Sequence, residues 1–260
     1  MKHFYLFCVM SFFFSLLTTS CDEKFFDELI DAITNDDDSG SSSGSGTSSS
    51  ITNGLMAYYT FDDGTAKNTK GSNYTGTLAG EGGTYVTDTP TGTGKALSLN
   101  ARGYVRIPQN MLKGIRTYSI SMWVKNFGTG GLFTTTYTDD TYNGAPRLWV
   151  NSSNCFVADG SQDIFSTAAK FGLSASQWQD DRWHMITAVY LSENSIMLYI
   201  DGELVGSAQA RGTTEAMGTF MAIGGKCEDV MNGSMLVDNV RVYSVCLSAA
   251  AVKNIYKTEK

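Results

Sequence analysis

Proline and histidine are scarce in this chain, with three prolines and two histidines among 260 residues. Pro90, Pro108 and Pro146 all stand at expected strand ends or loops, where a missing N–H does no harm. His3 lies in the amino-terminal leader, so any catalytic triad would have to use His184. Of five cysteines, Cys8 falls in the leader and Cys21 follows it, leaving Cys155, Cys227 and Cys246. Three cysteines admit at most one internal disulfide. There is no Cys/His zinc spacing, no Walker loop and no dinucleotide fingerprint. No internal repeat of solenoid or propeller length occurs. Beyond the leader no apolar run reaches the ~20 residues of a membrane-spanning helix. Lys and Arg are dispersed rather than clustered, which argues against a nucleic-acid partner.

The leader itself is expected to be a processing segment. Lys2 and His3 give a basic start, Phe4 to Leu17 is almost wholly apolar, and the stretch ends Leu16-Leu17-Thr18-Thr19-Ser20-Cys21. The apolar run is too short to span a bilayer and suits a secretory signal over residues 1–20. Small residues before a cysteine resemble a bacterial lipoprotein signal, which implies lipidation of Cys21, the alternative being an ordinary cleaved signal. Residues 21–50 are expected to be a tether. Eight acids there (Asp22, Glu23, Asp27, Glu28, Asp31, Asp36, Asp37 and Asp38) face Lys24 alone. The acidic excess of the chain, 26 acids against 19 bases, therefore belongs to this segment and not to the body. Ser39 to Ser50 is almost pure Ser and Gly, a flexible coil. Acids directly after the lipid cysteine resemble the surface-export signal of Bacteroidetes lipoproteins, implying display on the outer face of the outer membrane. A periplasm-facing spacer is the alternative.

Residues 51–260 read as all-β. Trp183 to Leu191 and Ser195 to Ile200 are rich in β-branched and aromatic residues and too short for helices. Asp201-Gly202 supplies two residues that tolerate positive φ, the requirement of a type I′ hairpin, leading into Glu203 to Val205. Ile196, Leu198 and Ile200 alternate with Met197 and Tyr199, which predicts a meander with one face buried. Leu55 to Phe61 opens the body, and Gly-, Asn- and Thr-rich turns separate further short runs. One helix is predicted from Ser248, as N-cap, to Tyr256, with Val252, Ile255 and Tyr256 inward.

Several stretches, in order, resemble one family. Tyr58-Tyr59-Thr60-Phe61-Asp62 is similar to its opening strand, and Gly94 to Leu99 with Tyr104 to Pro108 to its next hairpin. Tyr118-Ser-Ile-Ser-Met-Trp-Val-Lys125 follows, then Trp183-His184 with Leu198-Tyr-Ile-Asp-Gly-Glu203, then Gly233 to Tyr243 and the tail helix from Leu247-Ser248. Over roughly Gly54 to Tyr256 the chain is identified as a member of the concanavalin A-like lectin/glucanase superfamily, of the laminin-G-like kind. The resemblance implies a two-sheet antiparallel jelly-roll sandwich with a short C-terminal helix, and makes Trp123 and Trp183 core residues. It implies that Asp62 and Asp238 sit where related domains hold a structural Ca²⁺, whose hard-oxygen shell suits carboxylates and carbonyls. The alternative is that Asp62 caps a turn and Asp238 accepts strand-end N–H bonds. The resemblance also raises a Cys227–Cys246 disulfide, against three small buried thiols.

Chemistry in the glucanases needs acids two residues apart on one strand face, and no such stretch occurs here. Asp201 and Glu203 straddle a turn and read as hairpin residues. His184 reads as a satisfied structural histidine rather than a triad member. Binding is the better expectation, because sugars need aromatic faces for their C–H patches and polar groups for their hydroxyls. Tyr137, Asp139, Tyr142 and Asn143, with Arg147 and Trp149 beyond, have that composition, and Trp178 in a polar loop is a second candidate. The expected function is a non-catalytic carbohydrate-binding module displayed by a lipid anchor, with a glycan or glycosylated surface partner. An adhesive module for a protein partner, and a glycoside hydrolase with a displaced carboxylate pair, are the alternatives.

Overall fold

The turn at Asp201-Gly202 shows how closely local sequence dictates backbone here. Both residues hold positive φ, 55° and 83°, and the strands on either side end at Ile200 and restart at Glu203. The structure, a computed structural model, describes residues 51–136, 145–159, 169–192, 194–210, 214–225 and 234–260, apart from the side chains of Asp159 and Ala169.

Fifteen strands are seen among these residues. They run β1 Leu55–Tyr59, β2 Thr77–Gly80, β3 Gly83–Val86, β4 Ala96–Leu99, β5 Gly103–Ile107, β6 Tyr118–Lys125, β7 Gly130–Thr136 and β8 Arg147–Val150. There follow β9 Cys155–Asp159, β10 Ala169–Ser174, β11 His184–Tyr190, β12 Ser195–Ile200, β13 Glu203–Gln209, β14 Phe220–Gly224 and β15 Met235–Tyr243. A helix, α1 (Ala249–Thr258), succeeds them, and a 3-10 turn spans Ala175–Trp178. The strands form two antiparallel sheets. One has the order β13-β12-β11-β6-β15-β4-β3, with β1 also paired to β15; the other runs β10-β9-β8-β7-β14-β5-β2. This is the expected two-sheet sandwich.

The main core lies between the sheets. Ile120, Met122, Val124, Ile186, Ala188, Leu198 and Val242 come from the eight-stranded sheet, and Val105, Ile107, Phe133, Leu148, Phe156 and Ile223 face them from the seven-stranded one. Apart from Ala188, each such side chain contributes roughly 1.5–3 kcal/mol by leaving water. The expectation that the meander hides one face needs correcting. Met185, Val189, Met197 and Tyr199 alternate onto the outward face, yet all are buried. The reason is α1, which lies on that face: Tyr256 stacks on Trp123 at 5.5 Å, and Gly202 abuts Lys253 and Tyr256. Ser248 caps α1 by accepting the Ala251 N–H, and Val252 and Ile255 are buried, as the sequence predicts. No helix among the described residues is long and apolar enough to cross a membrane.

One irregularity positions the site described next. β15 pairs with β4 up to Val237 and with β1 from Val240, so Asp238 and Asn239 have no strand partner on that edge. On its other edge Asp238 faces Trp123 and Arg241 faces Ser121, which leaves an extra residue on β15. That is a β-bulge, and Asn239 takes φ 49° within it.

Candidate functional site

The split in β15 opens a cleft of about 480 Å³ between the end of β1, the approach to β4 and the end of α1. Asp62 enters from the turn after β1, and Asp238 from the bulge. Thr91, Thr93 and Gly94 contribute from the loop before β4, and Thr258 and Glu259 from the end of α1. The two acids that the family resemblance singles out are therefore brought to one cavity. Gly94 makes this approach possible: its φ is +79°, and a Cβ there would fall 1.8 Å from Asp62 Oδ1. The same carboxylate accepts the Lys95 backbone N–H at 3.1 Å.

Asp238 is nearly buried and accepts one hydrogen bond, from its neighbour's backbone N–H (Asn239, 2.7 Å). Burial pushes its carboxyl up to about 8, and the negative charges of Asp62 and Glu259 add to the effect, which the Asn239 N–H and Arg241 only partly oppose. A carboxylate placed like this gains most from a cation. The donors around it are all oxygens, which fits a hard ion such as Ca²⁺ in kind. In number they fall short. Among the described residues no three His, Cys, Asp or Glu side chains gather as a metal group. Two carboxylates would need carbonyls, hydroxyls and water to complete six to eight oxygens.

Glu259 is not free to join them. It pairs with Arg241, accepts the Trp123 indole N–H at 2.8 Å, and lies 3.2 Å from the Tyr58 hydroxyl. The Tyr58 hydroxyl also reaches Asn239 Oδ1 at 2.7 Å, and the Arg241 guanidinium sits 3.8 Å from the Tyr58 ring centre. Trp123 is thus buried as expected, but under α1 rather than between the sheets. Nothing in the spacing of Tyr58, Trp123, Arg241 and Glu259 signals this network, because only the outward alternation of three strands and the helix end bring them together.

His184 is held between two carboxylates. Its Nδ1 lies 2.7 Å from Asp201 Oδ2 and its Nε2 3.1 Å from Asp180 Oδ1, while Asp201 also accepts the Met185 N–H. The Asp201 bond, opposed by partial burial and aided by Asp180, raises the imidazole above its ordinary value. Both ring nitrogens are thus engaged by carboxylates, and neither meets a serine among the described residues.

The expected ligand residues fare differently. Tyr137, Asp139, Tyr142 and Asn143 lie outside the described residues, as do Cys21 and Cys227. Arg147 and Trp149 are described, and they are not exposed contacts. Leu148 and Val150 turn into the main core, so Arg147 and Trp149 alternate onto the other face of β8, where both are buried. There the guanidinium stands 5.1 Å from the Trp149 ring centre, Val157 packs opposite, and the indole N–H has no partner among the described residues. Trp178 is half-buried on the 3-10 turn, with its ring against Phe156 at 5.9 Å. Cys246 is a free buried thiol whose S–H points at the Tyr190 carbonyl, 3.2 Å away. Trp183, read from the family pattern as core, is half-buried instead, and donates its indole N–H to the exposed Asp88 at 2.9 Å.

Solved structures of the same architecture give this geometry its context. Domain 4 of the extracellular GH43 arabinanase AbnA from Geobacillus stearothermophilus, solved with arabinotriose, superposes with a TM-score of 0.61 at 18% identity, covering 78% of this chain and 98% of that one. The binding domain of Paraclostridial Mosquitocidal Protein 1 gives 0.61 at 15% identity, over 80% of this chain. The binding domain of botulinum neurotoxin DC, solved with rat synaptotagmin II, gives 0.59 at 16%, also over 80%. The chain spans about half the length of these two toxin domains (53% and 52%). At such identities the likeness shows the fold. No curated protein matches the sequence. A family model does, over residues 99–253 and so more than half of the chain: the protein belongs to the concanavalin A-like lectin/glucanases superfamily.

Proposed function

We propose that this chain is a non-catalytic carbohydrate-binding module, anchored in the outer membrane by lipid on Cys21 and displayed on the cell surface. One observation carries the non-catalytic reading. Asp62 and Asp238 share a cleft, neither forms an ion pair among the described residues, and that cleft lacks a sugar platform. Tyr58, the aromatic in its lining, carries Arg241 over its ring and has its hydroxyl engaged. A glycosidase needs its acid pair beside a ring-binding surface, whereas a cation needs only the oxygens. The arabinanase domain with arabinotriose and the toxin binding domains support a binding role on this scaffold by fold analogy.

In this reading Asp62 and Asp238 hold a structural Ca²⁺, with neutral oxygens of the cleft completing its shell. Bound there, the ion would supply a positive counter-charge that stabilises the ionised form of the buried Asp238. Tyr137, Asp139, Tyr142 and Asn143 are proposed ligand contacts, with Trp178 at a separate loop.

The test is affinity electrophoresis of the full chain through gels containing neutral and acidic polysaccharides, with reducing-end release assayed alongside. Retardation without release supports the module. Silence across a broad panel removes it in favour of a protein partner, and release of reducing ends revives the hydrolase. Incorporation of labelled palmitate that Cys21→Ala abolishes, and protease sensitivity on intact cells, test the anchor and the display.

A further inference from the structure

We propose that Trp183, with Asp88, Asn126 and Asp181 around it, forms a preorganised subsite for a neutral glycan. The inference rests on the carbohydrate-binding reading above and gives it a location in the described part of the molecule.

The three other tryptophans have committed rings. Trp123 is buried against Tyr256, Trp149 is buried beside Arg147, and Trp178 packs on Phe156. Trp183 is half-exposed, and among the described residues no ring or guanidinium stacks on it. Its polar edge is nonetheless fixed. The indole N–H donates to Asp88 Oδ1 at 2.9 Å, while Lys125 Nζ holds the other Asp88 oxygen at 2.8 Å. Lys125 also lies 3.1 Å from Asp181 Oδ1, to which the Asn126 amide donates at 3.0 Å. The backbone on which Trp183 sits is pinned next door, where His184 bonds Asp180 and Asp201. Contributions thus come from the loop before β4, the end of β6 and the entry to β11.

A buried structural tryptophan finds its acceptor inside the protein. Here the acceptor is a surface carboxylate, with the Asp88 side chain 47% exposed and that of Asp181 84% exposed. The result is an aromatic face held in one orientation beside acceptor oxygens and an amide. A sugar requires that combination: C–H patches on the ring, hydroxyls on the carboxylates. Because the side chains are already locked together, little rotamer freedom remains to be lost on binding. Charge selects the class. Asp88 and Asp181 outnumber Lys125, since the nearby Arg182 is paired with Asp180 at 2.7 Å. The net negative rim favours a neutral glycan over a uronate or sialylated one.

The test is affinity electrophoresis of the full chain in gels containing arabinan, xylan, β-1,3-glucan or galactan, with polygalacturonate as the acidic comparison. The wild type is expected to be retarded by at least one neutral polymer. Trp183→Ala and Asp181→Ala should each weaken that retardation about tenfold or more, with melting little changed for Asp181→Ala, whose ion pair with Lys125 is at the surface. If Trp183→Ala does not fold, Asp181→Ala and Asn126→Ala decide. Wild-type binding that survives these substitutions overturns the subsite and leaves the module reading standing, as does a preference for polygalacturonate. A wild type that no polymer retards overturns both.

Discussion

Glu259 accepts the indole N–H of Trp123 at 2.8 Å while pairing with the guanidinium of Arg241. The side chains of both ion-pair partners are 8% exposed. Removing one partner of such a pair leaves the other charge buried and alone, a cost of about 3–5 kcal/mol. Glu259→Ala should therefore lower the urea midpoint by that equivalent, and Glu259→Gln by less, since its amide oxygen still accepts from Trp123. A midpoint unchanged in both variants would show that α1 is not fastened by this contact.

His184 makes stability depend on pH in a defined direction. Its folded value is raised, chiefly by Asp201, above the ordinary 6.5 of the free side chain. The folded state thus holds the proton more tightly than the unfolded chain does. The stabilisation is fully present below about pH 6.5 and fades as pH rises through the folded value. Unfolding curves of wild type and His184→Gln between pH 5.5 and 9 should differ most at the acid end and converge toward the alkaline end. Divergence toward high pH would refute the assignment.

Calcium should stabilise the fold through the cleft. Ion at about a hundredfold above its Kd adds about 2.7 kcal/mol to a protein that binds it only when folded. The melting temperature should rise with CaCl₂, fall back with EDTA, and rise less with Mg²⁺, which demands a stricter octahedral shell. Asp62→Ala and Asp238→Asn should each abolish the increase. An equal response in wild type and both variants would place the effect elsewhere.

Burial pushes the Cys246 thiol up to about 12. The thiolate is the reactive form, so Cys246 should resist iodoacetamide at pH 8 in the native protein and react once urea unfolds it. Mass mapping of the labelled peptides decides this. A requirement for reductant before labelling would instead reveal a disulfide.

Some of this architecture was legible in the residues. Asp201-Gly202 announced its turn because few residues tolerate positive φ at two consecutive positions, and Ser248 announced α1 because a helix start needs an oxygen for its orphan N–H groups. Asp62 and Asp238 were paired through the family pattern, and the split in β15 shows how they reach one cleft. Other assignments failed for a common reason. Arg147 and Trp149 look like exposed contacts in sequence, and Trp183 looks like core. Which face of a strand is covered depends on what packs over it, and alternation alone carries no such information.

Short-range chemistry, namely β-branched runs, turn residues and caps, was enough to determine an all-β body with a C-terminal helix, and the resemblance to a known family implied the two-sheet sandwich. Tertiary structure decided the rest. It buried both faces of β11 and β12, joined Glu259 to Trp123 and Arg241, and left Trp183 at the surface on Asp88. Those outcomes rest on contacts between residues far apart in the chain, and the energy of a side chain is set by the neighbours that folding brings to it.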